Sequence, residues 1–163
     1  MQLLLFRHGI AEDAGAGVDD AARQLTDEGE KKTRLAARGL SRFAAAPQVI
    51  LTSPLVRARQ TARILSEVFD VEATECPALA GHDLAAILRE VGRQKHEVVM
   101  LVGHEPTFSS LAEILLTGEA SRGVIEMKKA GCIGLEVEFK RSSVAGARLI
   151  WLATPAMLRE MAG

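Results

Sequence analysis

At 163 residues the chain is long enough for one domain that buries about two-thirds of its unfolded surface, so it needs no disulfide or metal staples. Its 20 Lys and Arg against 21 Asp and Glu leave a net charge of -1, which excludes bulk attraction to nucleic acid or an anionic membrane and makes any anion site local. With 48% hydrophobic but only 4% aromatic residues, no Tyr and one Trp, aliphatic side chains must fill the core and no aromatic platform exists for stacked bases.

Cys76 and Cys132 are far apart and form no C-x-x-C pair, which argues against a disulfide framework or a zinc site. The N-terminal Leu run is too short for a signal peptide's apolar region and has no basic segment before it. No stretch approaches the roughly 20 apolar residues of a membrane span. The expectation is a single domain over residues 1–163, soluble and cytoplasmic, with no nucleic-acid or membrane partner.

In chain order, Leu3-Leu4-Leu5-Phe6 is an apolar run that stops at Arg7, His8 and Gly9, as a buried strand does when its end opens onto a cleft. On a regular strand Arg7 and His8 would face opposite sides of the sheet, so both serve one pocket only if the chain turns there, which Gly9 permits. Ile10 to Leu25, rich in Ala, Gly and Asp, reads as a surface loop. A helix is predicted from Thr26 as N-cap, with Asp27, Glu28 and Glu30 at its positive end, Ala36, Leu40, Phe43 and Ala44 on its apolar stripe, and Pro47 as its stop.

Val49 to Thr52 reads as a second buried strand, followed by Ser53-Pro54 as N-cap and first helical residue of a helix that buries Ala58, Thr61, Ala62, Leu65 and Phe69. A weaker strand around Val71 to Thr74 and a helix near Leu84 to Val91 come next. Val98 to Val102 is the most strand-like run, and it ends in Gly103-His104-Glu105-Pro106 before a helix that turns Phe108, Leu111, Ala112 and Leu115 inward. Cys132 to Phe139 and Arg148 to Leu152, with a Ser-rich turn between them, suggest an antiparallel pair added to the sheet, and a short helix follows Pro155. Strands alternating with helices make an α/β sandwich the expected fold.

Three strand ends therefore share one design. If their strands are parallel neighbours, Arg7, His8, Arg57 and His104 converge at the carboxyl edge of the sheet beside two helix N-termini. Two guanidinium groups, two imidazoles and free backbone N–H groups suit a tetrahedral oxyanion. Gln60 and Thr61 share the side of Arg57 on its helix, whereas Arg59 and Arg63 lie on another face and read as solvated charges.

Four ordered blocks carry a resemblance. Leu5-Phe6-Arg7-His8-Gly9, Arg23-Gln24-Leu25-Thr26 with Gly29, Ser53 through Ala62, and Gly103-His104-Glu105-Pro106 resemble the histidine phosphatase superfamily, and within it the small SixA-like phosphohistidine phosphatases. The resemblance implies a phosphoglycerate mutase-like fold, a three-layer α/β/α sandwich with a mostly parallel sheet. It implies His8 as the nucleophile that accepts the phosphoryl group, and Arg7, Arg57 and His104 as the groups that bind its oxygens. Arg23 matches an arginine that contacts phosphate, and Gly9 belongs to the same substrate-binding edge.

Elementary chemistry is compatible with those roles. An imidazole of pKa about 6.5 is available as a neutral nucleophile at pH 7. In-line phosphoryl transfer is catalysed mainly by positioning and by charge on the equatorial oxygens, which two arginines and a histidine supply, so activity is expected without a metal or cofactor.

Relatives that act on phosphate esters carry an acidic residue after the third strand to protonate the leaving oxygen, but here that stretch reads Pro77-Ala78-Leu79-Ala80-Gly81-His82-Asp83. An alkoxide needs that proton, whereas an imidazole of pKa about 6.5 departs with little help, which favours a phosphohistidine substrate. His82, Asp83 and Glu12 are the candidate proton donors, with Asp13 and Glu105 also near the mouth. Asp83 serves equally well as a helix N-cap and Glu12 as a solvated loop residue. The expected function is hydrolysis of phosphohistidine on a protein such as a histidine phosphotransfer or phosphocarrier domain, through a phospho-His8 intermediate. The alternatives are a small-molecule phosphomonoesterase and a phospho-ligand binding module without turnover.

Overall fold

β1 (Gln2–Arg7) lies in the interior of a six-stranded sheet, where its Leu and Phe side chains are shielded on both faces. The structure is a computed structural model and describes residues 1–15, 17, 19–120, 122–141 and 143–163. Along the sheet the strand order is β3 (Ala73–Glu75), β2 (Val49–Thr52), β4 (Val98–Gly103), β1, β5 (Cys132–Lys140) and β6 (Ser143–Ala153). β1, β2, β3 and β4 run parallel, and β5 and β6 are antiparallel additions beside β1.

The period-two alternation of a strand splits the core into two layers. Leu4, Phe6, Met100 and Val102 face one side with Ala36 and Leu40 of α1 (Asp27–Ser41), Ala62 and Leu65 of α2 (Val56–Phe69) and Leu158 of α5 (Pro155–Met161). Leu3, Leu5, Val99 and Leu101 face the other with Ile87 and Val91 of α3 (Leu84–Gly92) and Leu111 and Ala112 of α4 (Thr107–Thr117). The expected three-layer α/β/α sandwich with a mostly parallel sheet is the observed architecture. Register brings the site together: Arg7 pairs with Gly103 across β1 and β4, and Thr52 pairs with Val102 across β2 and β4.

Several boundaries differ from the sequence expectation for physical reasons. Ser53 does not cap α2: its N–H still bonds the Val102 carbonyl at 2.9 Å in the sheet, so the helix begins at Val56 with Leu55 at the N-cap. Phe43 is not on the buried stripe of α1, which ends at Ser41; it stands 42% exposed and packs edge-on against Trp151. β3 starts at Ala73 because Asp70 ends α2 in a left-handed conformation and Val71 is still bonded to Ser66. β6 begins at Ser143 rather than Arg148, and of the Ser-rich turn before it Ser142 lies outside the described residues. Among the described part of the loop after Ile10 are an isolated bridge between Ala11 and Leu25 and a 3-10 turn over Asp20–Ala22. Thr26 caps α1 as expected, accepting from the Gly29 N–H at 2.9 Å.

Candidate active site

At the carboxyl edge of β1 the strand hydrogen bonding continues one residue past Arg7, because the His8 N–H bonds the Gly103 carbonyl at 3.0 Å. The turn that follows is clamped from α2: the Gly9 N–H donates to Thr61 Oγ1 at 3.1 Å, and the Thr61 hydroxyl donates to the Arg57 carbonyl at 2.8 Å. A side chain is impossible at Gly9, since a Cβ there would stand 2.2 Å from Thr33 Oγ1. Thus α1 and α2 both close on the turn that aims His8.

His8 and His104 lie with ring centroids 5.1 Å apart, both at most 9% exposed. His8 Nδ1 lies 2.7 Å from the Gly9 carbonyl. A carbonyl only accepts, so Nδ1 carries the proton and Nε2 keeps its lone pair. Burial pushes the His8 pKa down to about 3, reinforced by His104, Arg57 and Arg7 and opposed by the Gly9 hydrogen bond. Burial, then Arg57, lowers His104 to about 4, with Asp20 opposing. Both imidazoles are therefore neutral at pH 7. His104 Nε2 shares a hydrogen bond of 2.8 Å with Ser53 Oγ, while its Nδ1 is buried without a partner among the described residues.

The two guanidinium groups are held by backbone carbonyls. Arg7 donates to the Met127 carbonyl, and Arg57 donates to the Asp20 carbonyl at 2.6 Å and to Asp20 Oδ2 at 2.9 Å. Each retains a buried Nε with no partner among the described residues. Arg23 joins the same cluster, with Nη1 on Asp20 Oδ1 at 2.7 Å and Nε on the Glu12 carbonyl at 2.7 Å. Gln60 ties the loop to α2 by accepting from the Leu25 N–H at 2.7 Å. The arrangement groups a neutral imidazole with a free Nε2, two cations and a second imidazole closely enough to act on one another's charge, a set that suits in-line attack on a tetrahedral anion.

Among the remaining sequence candidates, Gly9 spends its N–H on Thr61 and does not offer it to a ligand. Asp83 is the N-cap of α3, accepting from the Ala86 N–H at 2.9 Å, and Glu12 accepts from the Gln24 N–H at 3.2 Å. Glu105 accepts from Ser109 at the first turn of α4 and stands close enough to Arg7 to act on its charge. His82 is exposed, with Nδ1 2.7 Å from Thr107 Oγ1 at the start of the helix that follows His104. Arg59 and Arg63 are 51% and 79% exposed and pair with Glu75 and Glu67. Among the described residues no three His, Cys, Asp or Glu side chains are grouped to hold a metal ion, and no helix is long and apolar enough to cross a membrane.

Sequence reasoning missed the residues that orient the cluster. Asp20 has a local partner in Arg23, three residues on, but nothing in the sequence pointed to Arg57, which lies 37 positions away and meets it only in the fold. Ser53 carried a misleading one, since Ser-Pro reads as a helix start. The Met127 carbonyl has no side-chain signature at all.

The histidine phosphatase superfamily (branch 1) family model matches residues 3–87, which include β1, α1, β2 and α2 with Arg7, His8, Arg23 and Arg57. This chain belongs to that superfamily. A Picosynechococcus sp. protein of uncharacterized function is 39% identical over 143 residues, covering 83% of this chain and 84% of that one. In fold this superfamily member is SixA-like: the solved structure of the protein histidine phosphatase SixA complexed with tungstate superposes with a TM-score of 0.80 at 24% identity, covering 97% of this chain and 99% of that chain. A mycobacterial glucosyl-3-phosphoglycerate phosphatase complexed with VO3 has a TM-score of 0.74 at 18% identity, covering 94% of this chain and 98% to 99% of relatives solved in its several states.

Proposed function

We propose that this chain is a phosphatase that hydrolyses phosphohistidine on a protein, with His8 as the nucleophile. The observation that carries the reading is the His8–Gly9 hydrogen bond, which leaves a neutral Nε2 on a ring 5.1 Å from that of His104, in a cluster where Arg7 Nε, Arg57 Nε and His104 Nδ1 have no hydrogen-bond partner among the described residues. Nε2 attacks phosphorus as the P–N bond to the substrate ring breaks; that ring, protonated on its other nitrogen, departs as neutral imidazole, and His8, still carrying its Nδ1 proton, becomes the phosphorylated imidazolium. A water molecule then attacks phospho-His8, releasing inorganic phosphate and restoring the imidazole. Arg7, Arg57 and His104 bind the equatorial oxygens in both steps.

The leaving side supports a phosphohistidine substrate. The segment after β3 forms a 3-10 turn, Pro77–Ala80, in which Leu79 is buried and no carboxylate points to the cluster. A phosphohistidine ring protonated on its other nitrogen leaves as neutral imidazole, the conjugate base of an acid of pKa about 6.5, without the strong proton donor an alkoxide demands. The partner is then a phosphorylated histidine phosphotransfer or phosphocarrier domain. The buried, free Cys76 and Cys132 accord with a reducing, cytoplasmic setting.

A second reading, a small-molecule phosphomonoesterase, is favoured by His82, whose contact with Thr107 sets an imidazole near the His104 segment as an alternative proton donor. Rates on a phosphorylated phosphocarrier protein and on sugar phosphates separate the two, and faster turnover of sugar phosphates overturns the first. The nucleophile is tested by acid-labile, base-stable label trapped on the protein from a radiolabelled phosphoprotein. His8→Ala is expected to abolish both label and turnover, and retained turnover refutes the mechanism. Tight phosphate binding with no trapped label instead indicates a binding module.

A further inference from the structure

A cavity of about 450 Å³ lies against the Arg7–Gly9 turn and includes Arg7 but not His8, Arg57 or His104 in its lining. Ile10 continues that turn into its wall, and the wall segment ending at Ala130 is fixed to the site, because the Ala130 N–H bonds the carbonyls of both Arg7 and His8 at 3.1 Å. Besides Arg7 the cavity is lined by Lys32, Lys128, Lys129 and Arg159, against the single carboxylate of Glu126. In a chain of net charge -1 this is a concentrated positive site.

Two details separate it from an ordinary solvated surface. Lys32 and Lys128 have ion-pair partners, Glu28 and Glu126, but among the described residues Lys129 and Arg159 have none, although both are half-buried. Thr33, also on the wall, is fully buried at 0% exposure, and its hydroxyl, without a hydrogen-bond partner among the described residues, packs against Gly9 and so joins this wall to the turn.

We propose that this cavity is a second oxyanion subsite, filled by an acidic group that the substrate carries beside its transferred phosphate. Arg7 is shared between the two sites, and Lys129 and Arg159 supply the free charges. The inference sharpens the proposed function by adding a requirement on the substrate: a second anion close to the phosphoryl group. That anion is a flanking Asp or Glu if the substrate is a phosphoprotein, and a carboxylate or second phosphate if it is a small ester.

The binding arm of the test needs no turnover and so stands independently of the proposed function. Calorimetric titration of the intact chain with inorganic phosphate is expected to show two sites per chain, of which Arg57→Gln removes one and the double variant Lys129→Gln/Arg159→Gln removes the other. One site only, or a second site indifferent to the double variant, overturns the subsite. In the kinetic arm, phosphohistidine peptides with acidic flanks are compared with Gln-flanked ones, and carboxylated small phosphoesters with uncharged analogues. A KM advantage of about tenfold for the acidic member of one pair, reduced to near unity in the double variant, supports the subsite and identifies its source. Equal losses on acidic and uncharged substrates overturn it.

Discussion

His8 Nδ1 donates to the carbonyl of Gly9, its own successor in the chain, at 2.7 Å. The tautomer of the proposed nucleophile is thus fixed by the backbone of the turn that positions it. No carboxylate is needed for that, and a carboxylate would have raised the pKa that burial here lowers.

The pH behaviour follows from these two rings. His8 and His104 have pKa values of about 3 and about 4 when folded, while in the unfolded chain each binds its proton below pH about 6.5. Between those limits the unfolded state holds more protons, so stability rises with pH and acidification from pH 6.5 toward 4 destabilises the fold by up to about 1.4 kcal/mol per unit for each ring. Imidazole ¹⁵N chemical shifts are expected to report a neutral, Nδ1-protonated His8 at pH 5. Protonation of His8 with a midpoint near 6.5 in the ligand-free protein contradicts the arrangement.

Ser53→Ala should separate orientation from folding. The hydroxyl holds His104 Nε2 at 2.8 Å, and its loss frees the ring to tilt away from the phosphoryl position. We expect kcat to fall by about ten- to a hundredfold with little change in unfolding temperature. Unchanged kcat would show that His104 needs no such partner.

Asp20→Asn tests the counter-charge on Arg57. The backbone half of that contact, Arg57 to the Asp20 carbonyl, survives the substitution, but the carboxylate that is 60% exposed and competes with an incoming anion is gone. Inhibition by vanadate or inorganic phosphate should tighten by about two- to fivefold, the worth of an exposed ion pair of about 0.5–1 kcal/mol. Weaker inhibition would mean that Asp20 chiefly positions the guanidinium.

Glu113 is the remote residue with the clearest expected effect. It is 1% exposed on α4, and its carboxylate accepts from the N–H groups of Arg122, Val124 and Ile125, the segment leading to Met127, whose carbonyl holds Arg7. Burial alone would raise its pKa, but the hydrogen bonds from Ile125, Arg122 and Val124 outweigh that and hold it below the ordinary range. A depressed carboxyl stabilises above its unfolded pKa of about 4.3 and loses that contribution as pH falls through the folded value. Glu113→Gln should therefore lower the unfolding temperature at pH 7, with the gap from the unmodified chain closing in acid. A gap that is independent of pH argues against the ionised carboxylate as its cause.

The parts of the fold readable from the sequence were those whose cause is local. Leu3 to Phe6, Val49 to Thr52 and Val98 to Val102 are apolar runs that parallel strands bury on both faces, and each ends where a polar group must emerge. The edge strand was harder: β6 is half-exposed, and its register with β5 shifts at Gly134/Leu135 and Glu138/Phe139, which breaks the alternation a reader relies on. In the candidate site, the side chains that would meet phosphate were legible through their place at strand ends. Their supports were not, because Ser53 and His104 are separated by 51 positions and Asp20 and Arg57 by 37, and no local pattern encodes such pairs.

The interior position of β1 has one more consequence. The amide of His8 is bonded to β4 and the carbonyl of Arg7 to the Ala130 N–H, so releasing His8 from its place requires separating strands at the middle of the sheet. Its amide proton should exchange with solvent only through global unfolding, whereas the Asp20 segment that grips Arg57 lies in an exposed loop that can open locally. His8 is thus expected on the slowest-exchanging part of the molecule and the Asp20 contact to Arg57 of α2 on one of the fastest, so the hold on Arg57 can loosen without moving His8.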